Sequence, residues 1–160
     1  MAKEVVKVPV IMQMEALECG AACLAMILAY YGKWLALEQV RADCGVSRDG
    51  SSARNMIRAA RSYCLDAAGY RMEIDDVKKC AFPVILHWNF NHFVVLCGFR
   101  KGKAILNDPA RGRVAVGMEE FDRAFTGIVL CFETTEEFET GGNRQAFWDL
   151  RGKGCMAAEN

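Results

Sequence analysis

This sequence is short of the residues and patterns that most function classes need. Histidine occurs only twice in 160 residues, at His87 and His92, so imidazole chemistry rests on these two. Neither sign of charge is in excess, since 20 basic side chains balance 20 acidic ones. No positive field is therefore available for nucleic acid or an acidic membrane surface. No uninterrupted apolar run approaches the roughly 18 residues of a membrane-spanning helix, so no membrane insertion is expected of this segment. No CxxC pair exists, and the nearest cysteines, Cys19 and Cys23, have no second pair at ligand spacing. That argues against zinc. The GxSxG, HExxH and GxxxxGKS/T patterns are missing as well, which removes the serine-hydrolase elbow, zincin and phosphate-loop readings. Internal repeats and low-complexity tracts are absent.

What the sequence does have is a core and many thiols. Hydrophobic residues make up 52% of the chain. The length suits one domain, roughly 100–200 residues being typical, and such a domain buries about two thirds of its unfolded surface. Cysteines fall at positions 19, 23, 44, 64, 80, 97, 131 and 155. An even count fits a disulfide scaffold, but such scaffolds are usually short, secreted and poor in apolar core. Most of these cysteines lie inside apolar runs, as in Ala21-Ala22-Cys23-Leu24 and Val94-Val95-Leu96-Cys97, where a thiol behaves as a small hydrophobe. The start, Met1-Ala2-Lys3-Glu4-Val5-Val6, lacks the apolar region of a signal peptide. Seven cysteines are thus read as reduced packing thiols, and no metal or cofactor is expected. The question is whether one differs.

The first half reads as helical. Residues 1–10 suggest an extended arm. Cys19 to Tyr31 is apolar almost all round and rich in Ala, Leu and Met, which predicts a buried helix ended by Gly32. Leu35 to Asp43 repeats apolar residues at helical spacing, and Asp49-Gly50-Ser51-Ser52 supplies cap chemistry for a third helix over Ala53 to Cys64. The second half changes period. Runs at 84–86, 92–99, 104–106, 113–116 and 128–132 predict about five strands, with a helical turn near Met118 to Phe125. Helices followed by strands argue an α+β fold, N-terminal helices packing on a mainly antiparallel sheet. From Thr134 the chain turns acidic and then glycine-containing. A domain over 1–135 and a linker or tail over 136–160 are therefore expected.

Cys19 stands apart because it starts the predicted buried helix, whose positive end favours thiolate. A packing role fits that position equally well. A cysteine nucleophile needs a base. His87 and His92 are five apart on successive strand segments, so regular pleating points them to opposite faces and at most one serves a common site. If the hairpin after His92 pairs residues whose numbers sum to about 200, Asp108 lands opposite His92, where it could accept from the imidazole Nδ1–H. Asp108-Pro109 also reads simply as a turn. Gln13, six residues before Cys19, could supply an amide for an oxyanion.

Gln13, Glu18-Cys19-Gly20-Ala21-Ala22-Cys23-Leu24, Tyr30-Tyr31-Gly32, Asp49-Gly50-Ser51-Ser52, Asn91-His92-Phe93-Val94-Val95 and Asn107-Asp108-Pro109 together resemble a known family. It is the N-terminal peptidase domain of bacteriocin- and lantibiotic-exporting ABC transporters, the double-glycine leader peptidases. The resemblance runs from about Val8 to Thr134, and the His-Trp-Asn-x-Asn-His form is most similar to transporters of nitrile-hydratase-type leader peptides. It implies a papain-like fold with Cys19 as nucleophile, His92 as general base and acid, Asp108 as orienting carboxylate and Gln13 as oxyanion donor. It also implies precursor-peptide substrates cut after Gly-Gly or Gly-Ala at the end of an amphipathic leader. Trp88 becomes a candidate cleft wall. Family members carry membrane helices and an ATPase, so these are the implied partners, the cytoplasmic face of the membrane is the implied location, and this chain is read as the isolated peptidase domain. Two alternatives are a non-catalytic leader-binding domain and another papain-like amidase or transglutaminase. The first would lack the catalytic cysteine.

Overall fold

Helix α1 (Cys19–Tyr30) forms where Ala, Leu and Met follow one another without a strong helix breaker. The structure, a computed structural model, describes residues 5–45 and 52–142. Within it every residue of α1 from Cys19 to Ala29 is buried, so this is a central helix with no solvent face. It stops as a Schellman turn: Gly32 takes φ +98°, its N–H reaches Ala29 O, and the Lys33 N–H reaches Leu28 O. Helix α2 (Leu37–Cys44) ends on Gly45 in the left-handed region. Helix α3 (Ala53–Ser62) starts where the Ser52 side chain accepts from the Asn55 N–H at 3.1 Å. The remaining cap residues expected, Asp49 to Ser51, lie outside the described residues, as does Cys155.

The five expected strands are present, and a sixth joins them. The strands are β1 (Leu65–Arg71), β2 (Val84–Trp88), β3 (His92–Arg100), β4 (Lys103–Asp108), β5 (Gly112–Gly117) and β6 (Phe125–Thr134). They form one sheet in the order β1-β6-β2-β3-β4-β5, every neighbouring pair antiparallel. Two short helices, α4 (Ile74–Val77) and α5 (Met118–Ala124), complete the set.

Strand alternation divides the core. Phe93, Val95 and Cys97 of β3 face the layer of α1–α3, while Val94 and Leu96 face a second cluster holding Val77 of α4 and Phe121 and Ala124 of α5. Each fully buried Leu, Ile, Met or Phe in these layers contributes about 1.5–3 kcal/mol relative to exposure. From residue 5 on, the N-terminal arm is extended as expected and stays on the body: the Val6 N–H reaches Cys97 O, and Asn107 Nδ2 donates to Val8 O.

The segment expected to be linker from residue 136 remains docked as far as the structure describes it. Trp34 N–H donates to Gly141 O, Gly141 N–H to Gly32 O, and Phe138 packs edge-on to Tyr31. A Cβ on Gly142, which sits at φ +69°, would meet Trp34 O at 2.8 Å. Gly142, rather than Gly141, is thus the glycine that close backbone approach requires. Among the described residues no helix is long and apolar enough to cross a membrane.

Candidate active site

Cys19 is the first residue of α1, directly after a 3-10 turn over Ala16–Glu18. Its thiol interacts electrostatically with the His92 ring and with the Phe93 and Gly20 N–H groups. Burial by itself pushes the thiol up. The hydrogen bond and charge of His92, then the two backbone N–H groups, outweigh that and hold Cys19 below the ordinary thiol value. Activation therefore comes mainly from the histidine, with the helix start contributing through Gly20. Cys23, one turn on, is fully buried and pushed well above the ordinary value, first by burial and then by the nearby Cys19 and Asp108 charges. Cys97 and Cys131 are likewise raised by burial, to about 11 and about 12. None of the seven cysteines among the described residues is in a disulfide.

His92 opens β3 just after a tight turn in which Asn89 and Phe90 both have positive φ, +51° and +65°. Asn adopts this region readily and Phe does not, so the turn stores about 1 kcal/mol or more of backbone strain. The ring faces Asp108 through Nε2, which lies 2.8 Å from Oδ1. This corrects the expected Nδ1 contact, and it leaves Nδ1 as the nitrogen for Cys19. The strand register explains how the two meet. Pairs in the β3–β4 hairpin sum to 203 near the turn (Arg100 with Lys103) and to 202 beyond a bulge at Cys97 (Val95 with Asn107). Asp108 is therefore diagonal to His92 rather than directly opposite, a separation that side chains of this size bridge.

Asp108 is 3% exposed and fully engaged. Oδ1 accepts from His92 and from the Ala110 N–H at 2.8 Å, and Oδ2 accepts from Arg111 Nε at 3.0 Å. Burial would raise its pKa, but the hydrogen bonds from His92, Ala110 and Arg111 hold the carboxyl at about 2. Asp108-Pro109 does form a turn, which supplies the Ala110 N–H and brings Arg111 round, while the Asp108 carboxylate meets His92. His92 is lowered by burial but raised more by Asp108 and Cys19, to about 9. At neutral pH His92 is thus an imidazolium beside the ionised Asp108.

The other expected residues divide. Gln13 is tied to the same corner, its N–H donating to Pro109 O at 2.9 Å. Its amide Nε2 rests on Glu15 O at 3.1 Å and Ala16 O at 3.4 Å. Trp88 is not a cleft wall: it is 2% exposed and meets Phe121 edge-on at 5.5 Å in the second core, where the β2 pleat directs it. His87 is turned to Thr126 Oγ1 at 3.0 Å and packs on Phe93, and burial lowers its pKa. Sequence reasoning missed Arg111, whose spacing of three from Asp108 across a turn was the available signal. It also missed Arg41, which nothing in the local sequence connects to this site.

Two concavities border these elements. An open groove of about 330 Å³ runs along His87, Phe90, Asn91 and Phe93, next to His92. A larger one, about 410 Å³, lies between Met72 and Thr126, and neither is lined by Cys19, His92 or Asp108.

A profile of the Peptidase C39 family matches residues 7–137. Among curated relatives, a probable microcin-H47 secretion/processing ATP-binding protein of Escherichia coli, MchF, is 41% identical over 132 residues, covering 82% of this chain and 19% of that protein. The colicin V secretion/processing ATP-binding protein CvaB, also of Escherichia coli, is 37% identical over 134 residues, covering 84% and 19%. The chain thus spans about a fifth of the length of the curated relatives it matches. Among solved structures, a double glycine motif protease from an AMS/PCAT transporter, in complex with the leader peptide, is 68% identical with a TM-score of 0.79, covering 81% of this chain and 93% of that one. The peptidase domain of Streptococcus ComA has a TM-score of 0.76 at 20% identity, covering 81% and 100%. At that identity it shows a shared fold.

Proposed function

This chain belongs to the Peptidase C39 family of cysteine peptidases, and from that premise we propose that it removes the leader of ribosomal precursor peptides by cutting after Gly-Gly or Gly-Ala. The observation that carries the reading is one line of interactions, from Cys19 to His92 and on to Asp108 and Arg111. In the proposed reaction the Cys19 thiolate adds to the carbonyl carbon of the scissile glycine, and the carbonyl oxygen takes the negative charge. His92 then gives its proton to the leaving amine, and the C–N bond breaks to leave a leader thioester. A water, deprotonated by His92, hydrolyses that thioester and restores the thiol. Asp108 holds the ring and favours its charged form. Gln13 is the proposed oxyanion donor: an amide nitrogen carries two hydrogens, so one can stay on the backbone carbonyls while the other meets the oxyanion.

Side chains flanking the trio support a peptide substrate. Met12, Met14 and Leu17 surround Gln13 and precede Cys19, and Phe90 precedes His92; they are 38%, 66%, 37% and 79% exposed. Four of the five large hydrophobics left in water among the described residues therefore adjoin the candidate catalytic groups. An amphipathic leader helix would cover such residues. The small-residue requirement at the cut follows if the occupied cleft closes on the glycine backbone and rejects larger side chains by clash. On this reading residues 1–135 form the catalytic unit, the segment from 136 leads toward transmembrane and ATPase partners, and the domain works at the cytoplasmic face of the membrane.

Mass spectrometry of precursor peptides incubated with the protein tests the proposal. Fragments ending in Gly-Gly or Gly-Ala are expected, and products cut elsewhere or no products would contradict it. The pH dependence is a second test. Cleavage needs Cys19 ionised and His92 protonated, so kcat/KM should rise as Cys19 loses its proton below the ordinary thiol range. It should then fall as His92 loses its proton near pH 9. Asp108→Asn removes an anion that raises the His92 pKa, so the alkaline limb should move to lower pH. An unmoved limb would separate Asp108 from His92.

A further inference from the structure

We propose that Glu18 is a positioning residue for Gln13, with Arg41 as its counter-ion; the inference rests on Gln13 being the oxyanion donor. Glu18 is 4% exposed and immediately precedes the nucleophile. A buried carboxylate there opposes formation of the Cys19 thiolate by simple Coulomb repulsion, so its presence is not explained by activation of the thiol. Its contacts explain it instead. Oε1 accepts from the Met14 N–H at 2.8 Å and the Glu15 N–H at 2.9 Å, and Oε2 pairs with Arg41 Nη1 of α2 at 3.4 Å. Arg41 also reaches Glu15 Oε2 at 3.3 Å, on the exposed side of the same turn.

Those two N–H groups belong to the turn whose carbonyls hold Gln13. The Gln13 amide rests on Glu15 O and Ala16 O, while its own N–H is anchored to Pro109 O. A line of contacts therefore runs from Arg41 through Glu18 and the 14–16 backbone to the Gln13 side chain. The segment has little else to hold it in place. Met12, Met14 and Leu17 are all exposed, so packing does not fix the loop. Charge-assisted hydrogen bonds accepted by a buried carboxylate paired with Arg41 are strong enough and directional enough to do so.

The test is a double-mutant cycle on leader cleavage, read as separate kcat and KM values. Gln13→Ala should lower kcat by about 100-fold or more, the usual effect of losing one oxyanion donor. Glu18→Ala should lower kcat about 10- to 100-fold with KM nearly unchanged, and should cost almost nothing further in the Gln13→Ala background. Glu18→Gln keeps an oxygen for the two N–H groups and should restore most of kcat. Iodoacetamide should alkylate Cys19 at least as fast as in wild type in all of these variants, since none removes a group that favours the thiolate. Losses that multiply in the double variant, or wild-type kcat in Glu18→Ala, would overturn the inference. If Glu18→Ala does not fold, Arg41→Ala takes its place in the cycle, with a smaller kcat loss that must also vanish without Gln13; a loss that persists there overturns the inference equally. A Gln13→Ala variant with undiminished kcat would instead overturn the oxyanion assignment itself, and leave Cys19-dependent cleavage standing.

Discussion

Replacing Cys19 by alanine should reduce cleavage of a Gly-Gly leader by about six orders of magnitude, to background, the scale seen when the nucleophile of a protease is removed. The size follows from the chemistry: without the sulfur no thioester forms, and the His92 pair has nothing to activate. The fold should persist. The substitution trims one atom from a residue already 9% exposed at a helix start, and Ala is the best helix former, so the cost should be about 1 kcal/mol or less. Leader binding should persist too, because the apolar residues flanking the site are untouched. Single-turnover cleavage, fluorescence anisotropy of a labelled leader and a thermal melt together separate these outcomes. Cys23→Ala is the control, expected to keep its turnover. Cleavage by Cys19→Ala at the normal rate would remove Cys19 from the mechanism.

His92→Ala should lose activity by about 10⁴-fold or more. Two effects combine. The leaving amine loses its proton donor, and Cys19 loses the hydrogen bond and positive charge that outweigh its burial. The thiol should then titrate higher, so alkylation at pH 7 slows along with peptide cleavage. His87→Ala makes the contrast. It forfeits the Thr126 hydrogen bond and the Phe93 contact, at a cost of about 1 kcal/mol in stability, with turnover preserved. Equal loss of turnover from both variants would undo the choice between the histidines.

Much of this arrangement was legible in the chain. The buried helix was readable because thirteen residues from Cys19 contain only good helix formers, small residues and a closing Tyr pair before Gly32. Cys19, His92 and Asp108 were readable as candidates because a nucleophile needs a base and a base an orienter, and their roles came from the resemblance of the flanking motifs to the leader peptidases. Strand β1 was not, since Leu65-Asp66-Ala67-Ala68-Gly69-Tyr70-Arg71 has no β-branched residue and becomes a strand only by pairing with β6. The ring nitrogen that faces Asp108 and the bulge at Cys97 depend on hairpin geometry that composition does not encode. Trp88 looked like a wall because it lies beside the strand that His92 opens, whereas its ring is buried against Phe121 in the second core cluster. The contacts of Glu18 with Arg41, 23 residues apart, arise from helix packing.

The most direct test of the central claim uses a leader peptide ending in Gly-Gly with a C-terminal chloromethyl ketone. A thiolate displaces chloride from this group and stays attached through a thioether, so the modified residue can be located by peptide mapping. One adduct per chain is predicted, on the peptide containing Cys19, with the other seven cysteines unmodified and labelling strongly slowed in His92→Ala. An adduct on any other cysteine, or none under conditions where free iodoacetamide still reacts with Cys19, would contradict the account.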